Sequence, residues 1–312
     1  TGSGTAINMA NAGTGRTVTS TITLTGGSTS VTGDIVRTVG AGTENAAITL
    51  NGGVLNMNAK TIGAAGAGAI TFNAQAGTLR NLGELNGGSG LVKTTVGTLV
   101  MEGTNTYTGG TFMDAGILQV NSLGAVGTTG DLDFGGGTLQ YSVNNTTDYA
   151  ARIVNSTAAI KIDTNGQEVT FATGLANTNS GGLTKEGTGS LALNGVNSYT
   201  GATSVNAGTL TVGGSLGAGT VTVGSGSAAV LNGAGTIGGA VTVTSSGTFS
   251  SGADDDGDNN NGVGAMTVAS ADWQTNATIV FDFALTDDGS FSGTPTNWDY
   301  VNITGSGLTL GT

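Results

Sequence analysis

The sequence predicts an all-β fold, a parallel β-helix (β-solenoid) running as one continuous rod. Three observations carry this. Residues 90–120 and 182–212 are two versions of one 31-residue text, aligned without a gap at an offset of 92, with 15 positions identical; self-similarity at a fixed period marks stacked repeats. The apolar residues recur with period two, the spacing of a half-buried strand, and no stretch keeps a helical period. The strands are short, numerous and bounded by Gly, which a coil accommodates by adding rungs, whereas a hairpin meander of this length needs two large sheets or a barrel.

In chain order, the first strand is the clearest. Thr occupies every odd position from Thr17 to Thr25, with Val18, Ile22 and Leu24 between, so one face meets a core and the other solvent. Further strands are expected at 47–50, 53–57, 69–73, 98–101, 117–120, 131–134, 137–141, 159–162, 168–172, 190–193, 209–212, 220–223, 229–231 and 240–244, and then at 264–268, 277–285, 300–304 and 308–310. Between them stand Asn51-Gly52, Asn86-Gly87, Asn165-Gly166, Asn194-Gly195, Asn232-Gly233 and Asn261-Gly262, dipeptides that accept positive φ at little steric cost. At roughly 20–25 residues per coil the chain makes about 13–15 coils, and at about 4.8 Å per coil the rod is roughly 65–70 Å long. Residues 1–250 are expected to form the solenoid holding both repeat copies, and 251–312 an acidic loop with a divergent continuation or end-cap.

Composition excludes several function classes. The 312 residues include 59 Gly but one Pro, without the G-X-Y period of collagen. Enough Val, Ile and Leu are interspersed to form a core, unlike a disordered chain. Cys and His are both absent, which removes thiolate chemistry, the commonest general base and the commonest transition-metal ligand. The net charge is −12 and uneven: all eight basic residues lie at or before Lys185, and ten acidic residues follow it. Such a surface repels nucleic acid and anionic lipid, so no nucleic-acid partner and no membrane insertion by this segment are expected. The first residues lack the basic and apolar regions of a signal peptide, and the last, Gly307 to Thr312, stop in strand-like sequence. This reads as a mature or excised segment, or as ends that stack on each other.

The second copy resembles the autotransporter-associated β-strand repeat of bacterial surface and secreted proteins. Lys185, Gly187, Gly189, Asn197, Tyr199, Thr200, Gly201, Ala207 and Gly208 fall on that pattern. The first copy follows it through Lys93, Gly97, Asn105, Tyr107, Thr108, Gly109, Gly110, Ala115 and Gly116, and departs at Thr94-Thr95-Val96, where a Gly is expected. The resemblance implies a right-handed parallel β-helix exported to the bacterial cell surface or beyond, and it implies no reaction.

Each candidate site has a plainer alternative. Asp254, Asp256 and Asp258 place hard oxygen ligands at alternate positions of an acidic loop, as a calcium site would; the EF-hand pattern fails at Asn259, and the alternative is a solvated insertion between coils. Asp287-Asp288-Gly289 is a weaker candidate or an ordinary turn. Lys93 and Lys185 occupy equivalent places; a Lys–Asn isopeptide crosslink needs a buried lysine, and a solvent-facing lysine at a strand end is the expected reading. Tyr107 and Tyr199 either stack on sugars or pack at a corner with their hydroxyls satisfied, the latter being expected. Trp273 and Trp298 fit an end-cap or a carbohydrate site. The string Gly63–Gly68 lacks the following helix a nucleotide site requires.

The function expected from these features is structural: an exported segment of an extracellular fibre, stalk or adhesin scaffold, without catalytic residues or an obligatory cofactor. Its partners are expected to be other copies of itself, head to tail in a filament, and cell envelope or surface glycans. A carbohydrate-binding surface module is the alternative, and a polysaccharide-active β-helix enzyme the remoter one.

Overall fold

The computed structural model describes residues 5–225, 227–251, 265–280 and 300–310, with side chains also outside the description at 5–6, 265, 280, 300–302 and 305–310. The described residues form an all-β parallel solenoid of about 11 turns. The chain divides into two compact units, Thr1–Asn145 and Thr146–Thr312, with one repeat copy in each. The ladders within each unit are parallel. The single antiparallel pairing among the described residues is an isolated bridge between Ser142 and Asn145.

In the first unit, Thr17–Leu24 lies in register along Thr43–Leu50 over eight consecutive pairs. Its odd-numbered threonines are exposed, as the alternation requires. The strand Thr43–Ile62 runs through a corner and pairs with Thr71–Leu85. The rungs then shorten, and like stacks on like: Leu99 pairs with Leu118 and Leu118 with Leu139, and all three are fully buried. A second face is built from Leu91–Lys93, Thr111–Met113 and Leu132–Phe134.

The second unit repeats this logic. One inward column runs Val169, Leu191, Leu210, Leu231, Phe249, each paired with the next and each almost wholly buried. Burying a side chain of this size is worth about 1.5–3 kcal/mol, so a column of five is a large part of what holds successive coils together. Another column runs Ile162, Lys185, Val205, Val223, Val243, Trp273. A lysine stands in it where every neighbour is apolar.

The strands expected at 17–25, 98–101, 117–120, 137–141, 168–172, 190–193 and 209–212 are present within a residue or so. Leu91–Lys93, Thr111–Met113, Leu183–Glu186 and Thr203–Val205 were not expected. Three of these strands have only three residues, and in Leu91–Lys93 and Leu183–Glu186 one of the two inward positions is the lysine, so apolar alternation does not show. The coil count is below the 13–15 expected because several coils exceed 25 residues: Val241 pairs with Ala271, and Ala271 with Leu308. Asn86-Gly87 and Asn165-Gly166 adopt positive φ at both residues and turn the chain between coils rather than closing hairpins. Gly195 departs from the expectation and is absent from the positive-φ positions. A Cβ there would stand 2.2 Å from the backbone nitrogen of Gly174, so its role is close approach of two coils.

Candidate functional site

The polar residues of the repeat converge at the corners of the coil, and the two copies use them in the same way. Asn105 and Asn197 are buried. The Asn105 Oδ1 accepts the Leu82 backbone N–H at 2.8 Å, from the preceding coil, and its Nδ2 donates to the Ala125 carbonyl at 2.8 Å, in the following one. Asn197 does the same between Leu175 N–H (2.9 Å) and the Ser215 carbonyl (3.0 Å). A buried corner leaves backbone groups without ladder partners, and leaving each unsatisfied costs about 1–3 kcal/mol. One amide per copy satisfies donors and acceptors on three successive coils.

Two residues on, Tyr107 and Tyr199 enter the interior. Their hydroxyls lie 2.7 Å from Thr111 Oγ1 and 2.6 Å from Thr203 Oγ1, and those threonines are buried in the inward columns. Desolvation pushes the Tyr199 phenol up to about 12, with the hydrogen bond from Thr203 opposing. The corner-packing reading of the tyrosines holds, and no ring face is left for a sugar. The partner threonines were not singled out in the sequence, although Tyr-x-x-x-Thr occurs in both copies.

Lys93 and Lys185 overturn the expectation of solvent-facing lysines: both side chains are wholly inaccessible. The reason is that each lysine holds the second inward position of its strand, two residues after the buried Leu91 or Leu183, where carbonyls of the following corner accept from its ammonium. Lys185 Nζ donates to the carbonyls of Glu186 (2.8 Å) and Gly187 (2.7 Å) in its own coil and of Ala207 (3.2 Å) in the next. Lys93 Nζ donates to the Thr95 carbonyl, to Thr95 Oγ1 at 3.2 Å and to the Ala115 carbonyl at 3.4 Å. Burial pushes the Lys185 ammonium down to about 8, while the charges of Asp163 and Glu186 push it back up; burial lowers Lys93 as well. The acceptors are carbonyls and a hydroxyl, not a side-chain amide, so the geometry offers no partner for an isopeptide bond. At the departure from the repeat pattern, Thr95 takes the place of Gly187, and its hydroxyl adds a hydrogen bond to the Gln75 carbonyl at 3.1 Å.

The glycine after each cage is required by geometry. Gly116 and Gly208 have φ of +70° and +65°. A Cβ on Gly208 would stand 2.4 Å from the Gly189 carbonyl oxygen and 2.9 Å from Lys185 Nζ; one on Gly116 would stand 2.1 Å from the Thr95 oxygen.

Other expected sites fare differently. Asp254, Asp256 and Asp258, with Asp287, Asp288 and Trp298, lie outside the described residues. Among the described residues no group of three or more acidic side chains could hold a metal ion. Trp273 is 7% exposed and packs against Phe249 with ring centroids 6.2 Å apart, so it serves the core. Gly66–Gly68 forms a single 3-10 turn followed by extended chain. The sequence reading missed Glu44, buried near the start of the chain, whose Oε1 accepts the backbone N–H groups of Ala12 (3.0 Å) and Gly40 (2.7 Å).

Comparison with known proteins places these corners. The passenger-associated-transport-repeat family matches residues 91–120 and 183–212, the two segments that carry the lysine, asparagine and tyrosine. The adhesin BmaC autotransporter of Brucella suis biovar 1 (strain 1330) is 33% identical over 210 residues, covering 62% of this chain. The chain spans 6% of the length of that relative. No solved structure matches. The repeats at 91–120 and 183–212, set in a parallel β-solenoid, make this chain similar to the β-repeat passengers of bacterial autotransporters.

Proposed function

We propose that this chain is a segment of an exported bacterial surface protein, in which stacked β-coils form the scaffold of an adhesin and catalyse no reaction. The observation that carries this is how the repeat uses its polar side chains. Lys185, Asn197 and Tyr199, with their counterparts in the first copy, bind the backbone or columns of their own and adjacent coils and leave no reactive group for a substrate. The similarity to an adhesin over 62% of the chain agrees. The same reading extends to self-association head to tail, to contact with surface glycans, and to calcium in the loop of Asp254, Asp256 and Asp258.

The test uses the full native protein in its own cell. Antibodies against the exposed corner that bears Leu123 and Val143, 78% and 80% accessible, are expected to label intact cells. Removing the gene product is expected to lower adherence of those cells to host tissue. Label confined to permeabilised cells, or unchanged adherence, overturns the proposal. Electron micrographs of the native assembly then separate filament, stalk and free particle.

A further inference from the structure

We infer that each repeat corner is an ammonium-binding site whose ligand is the chain's own lysine, and that this ligand fastens the repeat to the coil after it. The site is built by the backbone. Around Lys185 Nζ stand three carbonyl oxygens at 2.7–3.2 Å, matching an ammonium's three N–H donors one to one. Two acceptors come from the lysine's own coil and the third, Ala207, from the next, 22 residues on. Around Lys93 the carbonyl two residues on, that of Thr95, is again an acceptor, the Thr95 hydroxyl stands where Lys185 uses the Glu186 carbonyl, and the acceptor in the following coil is again the alanine 22 residues on, Ala115. Common to both cages are the own-coil carbonyl two residues after the lysine and the bond between coils.

Packing does not explain the residue. Lys185 occupies one rung of the column Ile162, Val205, Val223, Val243, where an apolar side chain would fill the space without the several kcal/mol that burying an ammonium costs. What the apolar neighbours lack is donors. A Val at this rung would leave the Glu186, Gly187 and Ala207 carbonyls without the donors that now reach them. Gly208 shapes the same pocket, since a side chain there would enter within 2.9 Å of Nζ. The charged groups acting on the ammonium are Asp163 and Glu186, both attractive.

The test is replacement of the ligand by a free one. Lys185→Ala removes three methylenes and the ammonium, the outline of n-propylammonium. In the 312-residue chain, amide hydrogen exchange is read at Asn206 and Thr209, whose N–H groups bond to the preceding coil at Lys185 O and Gly189 O. Lys185→Ala is expected to speed exchange there about tenfold or more, which corresponds to about 1.4 kcal/mol. n-Propylammonium chloride is expected to restore protection, while 1-propanol and sodium chloride at the same concentrations are not. Lys185→Met, which keeps the apolar stem and lacks donors, is expected to exchange as fast as Lys185→Ala. Protection of the Met variant equal to that of the unmodified chain overturns the inference, as does rescue by propanol or sodium chloride equal to that by propylammonium. Should Lys185→Ala fail to fold, Lys93→Ala and Lys93→Met carry the same comparison at Asp114 and Ile117, whose amides bond to Lys93 O and Gly97 O.

Discussion

At the residue scale, two buried titratable groups of the second copy contribute with opposite signs to the alkaline behaviour of the fold. The unfolded lysine holds its proton until about 10.5, whereas folded Lys185 releases it at about 8. Between those values the unfolded state binds more protons, so this residue makes stability rise with pH. Tyr199 acts with the opposite sign. Unfolded tyrosine ionises near 10 and the buried phenol at about 12; in that window the folded state binds more protons and stability falls as pH rises. Chemical denaturation followed from pH 7 to 12 is expected to show a gain above 8 that turns to a loss above 10. Tyr199→Phe is expected to weaken that loss. It leaves the buried Thr203 hydroxyl without its 2.6 Å partner, a cost of about 1–2 kcal/mol at neutral pH, to be checked by urea unfolding. The Lys185 shift was not legible in the sequence, because the strand Leu183–Glu186 that sets the lysine inward was itself not expected, whereas the corner packing expected of Tyr199 carries its burial.

At the scale of the element, the corner is more demanding than the strand. Gly208→Ala combines positive φ with three contacts below 3.0 Å, two of them to backbone oxygens that cannot move aside. It is expected to destabilise by more than about 2 kcal/mol, whereas Thr211→Val, outward on the strand that Gly208 begins, is expected to change stability by less than about 0.5 kcal/mol. Thermal unfolding of the two variants checks the contrast. Asn197→Ala removes the amide that serves Leu175 N–H and the carbonyls of Gly195 and Ser215, and a loss of about 3 kcal/mol is expected. The strand Ser190–Leu193 was legible because four residues suffice to show alternation beside Gly. Thr203–Val205 was not, because three residues flanked by small polar ones resemble a loop until Thr184 and Val223 are seen on either side.

At the scale of the molecule, each coil within a unit interacts with the coils before and after it, so length is adjustable in whole coils. Leu183 pairs with Thr203, so removing residues 183–202 brings Thr203 to the rung that Leu183 occupied beside Ile160. That deletion is expected to leave a cooperative β-fold of slightly lower stability. Removing residues 183–191, an odd number that ends half-way round the coil, is expected to abolish cooperative unfolding, because inward and outward faces exchange. Far-ultraviolet circular dichroism during thermal melts distinguishes the two.

Sequence alone determined the all-β class, the parallel stacking and the kinship of 90–120 with 182–212, because period-two alternation and a gapless repeat are one-dimensional facts that stacked coils read directly. It also determined that Tyr107 and Tyr199 belong at corners. Only the tertiary structure decided the fate of Lys93 and Lys185. Their place in the text, a basic residue at the end of a short strand, is the usual place of a solvated charge. The carbonyls that draw them inward are main-chain atoms, contributed partly by a coil 22 residues away. Backbone acceptors are identical at every residue, so no side-chain pattern announces where three of them meet. Convergence of that kind is a property of the stacked coil, and the lysines became buried ligands when the coil closed around them.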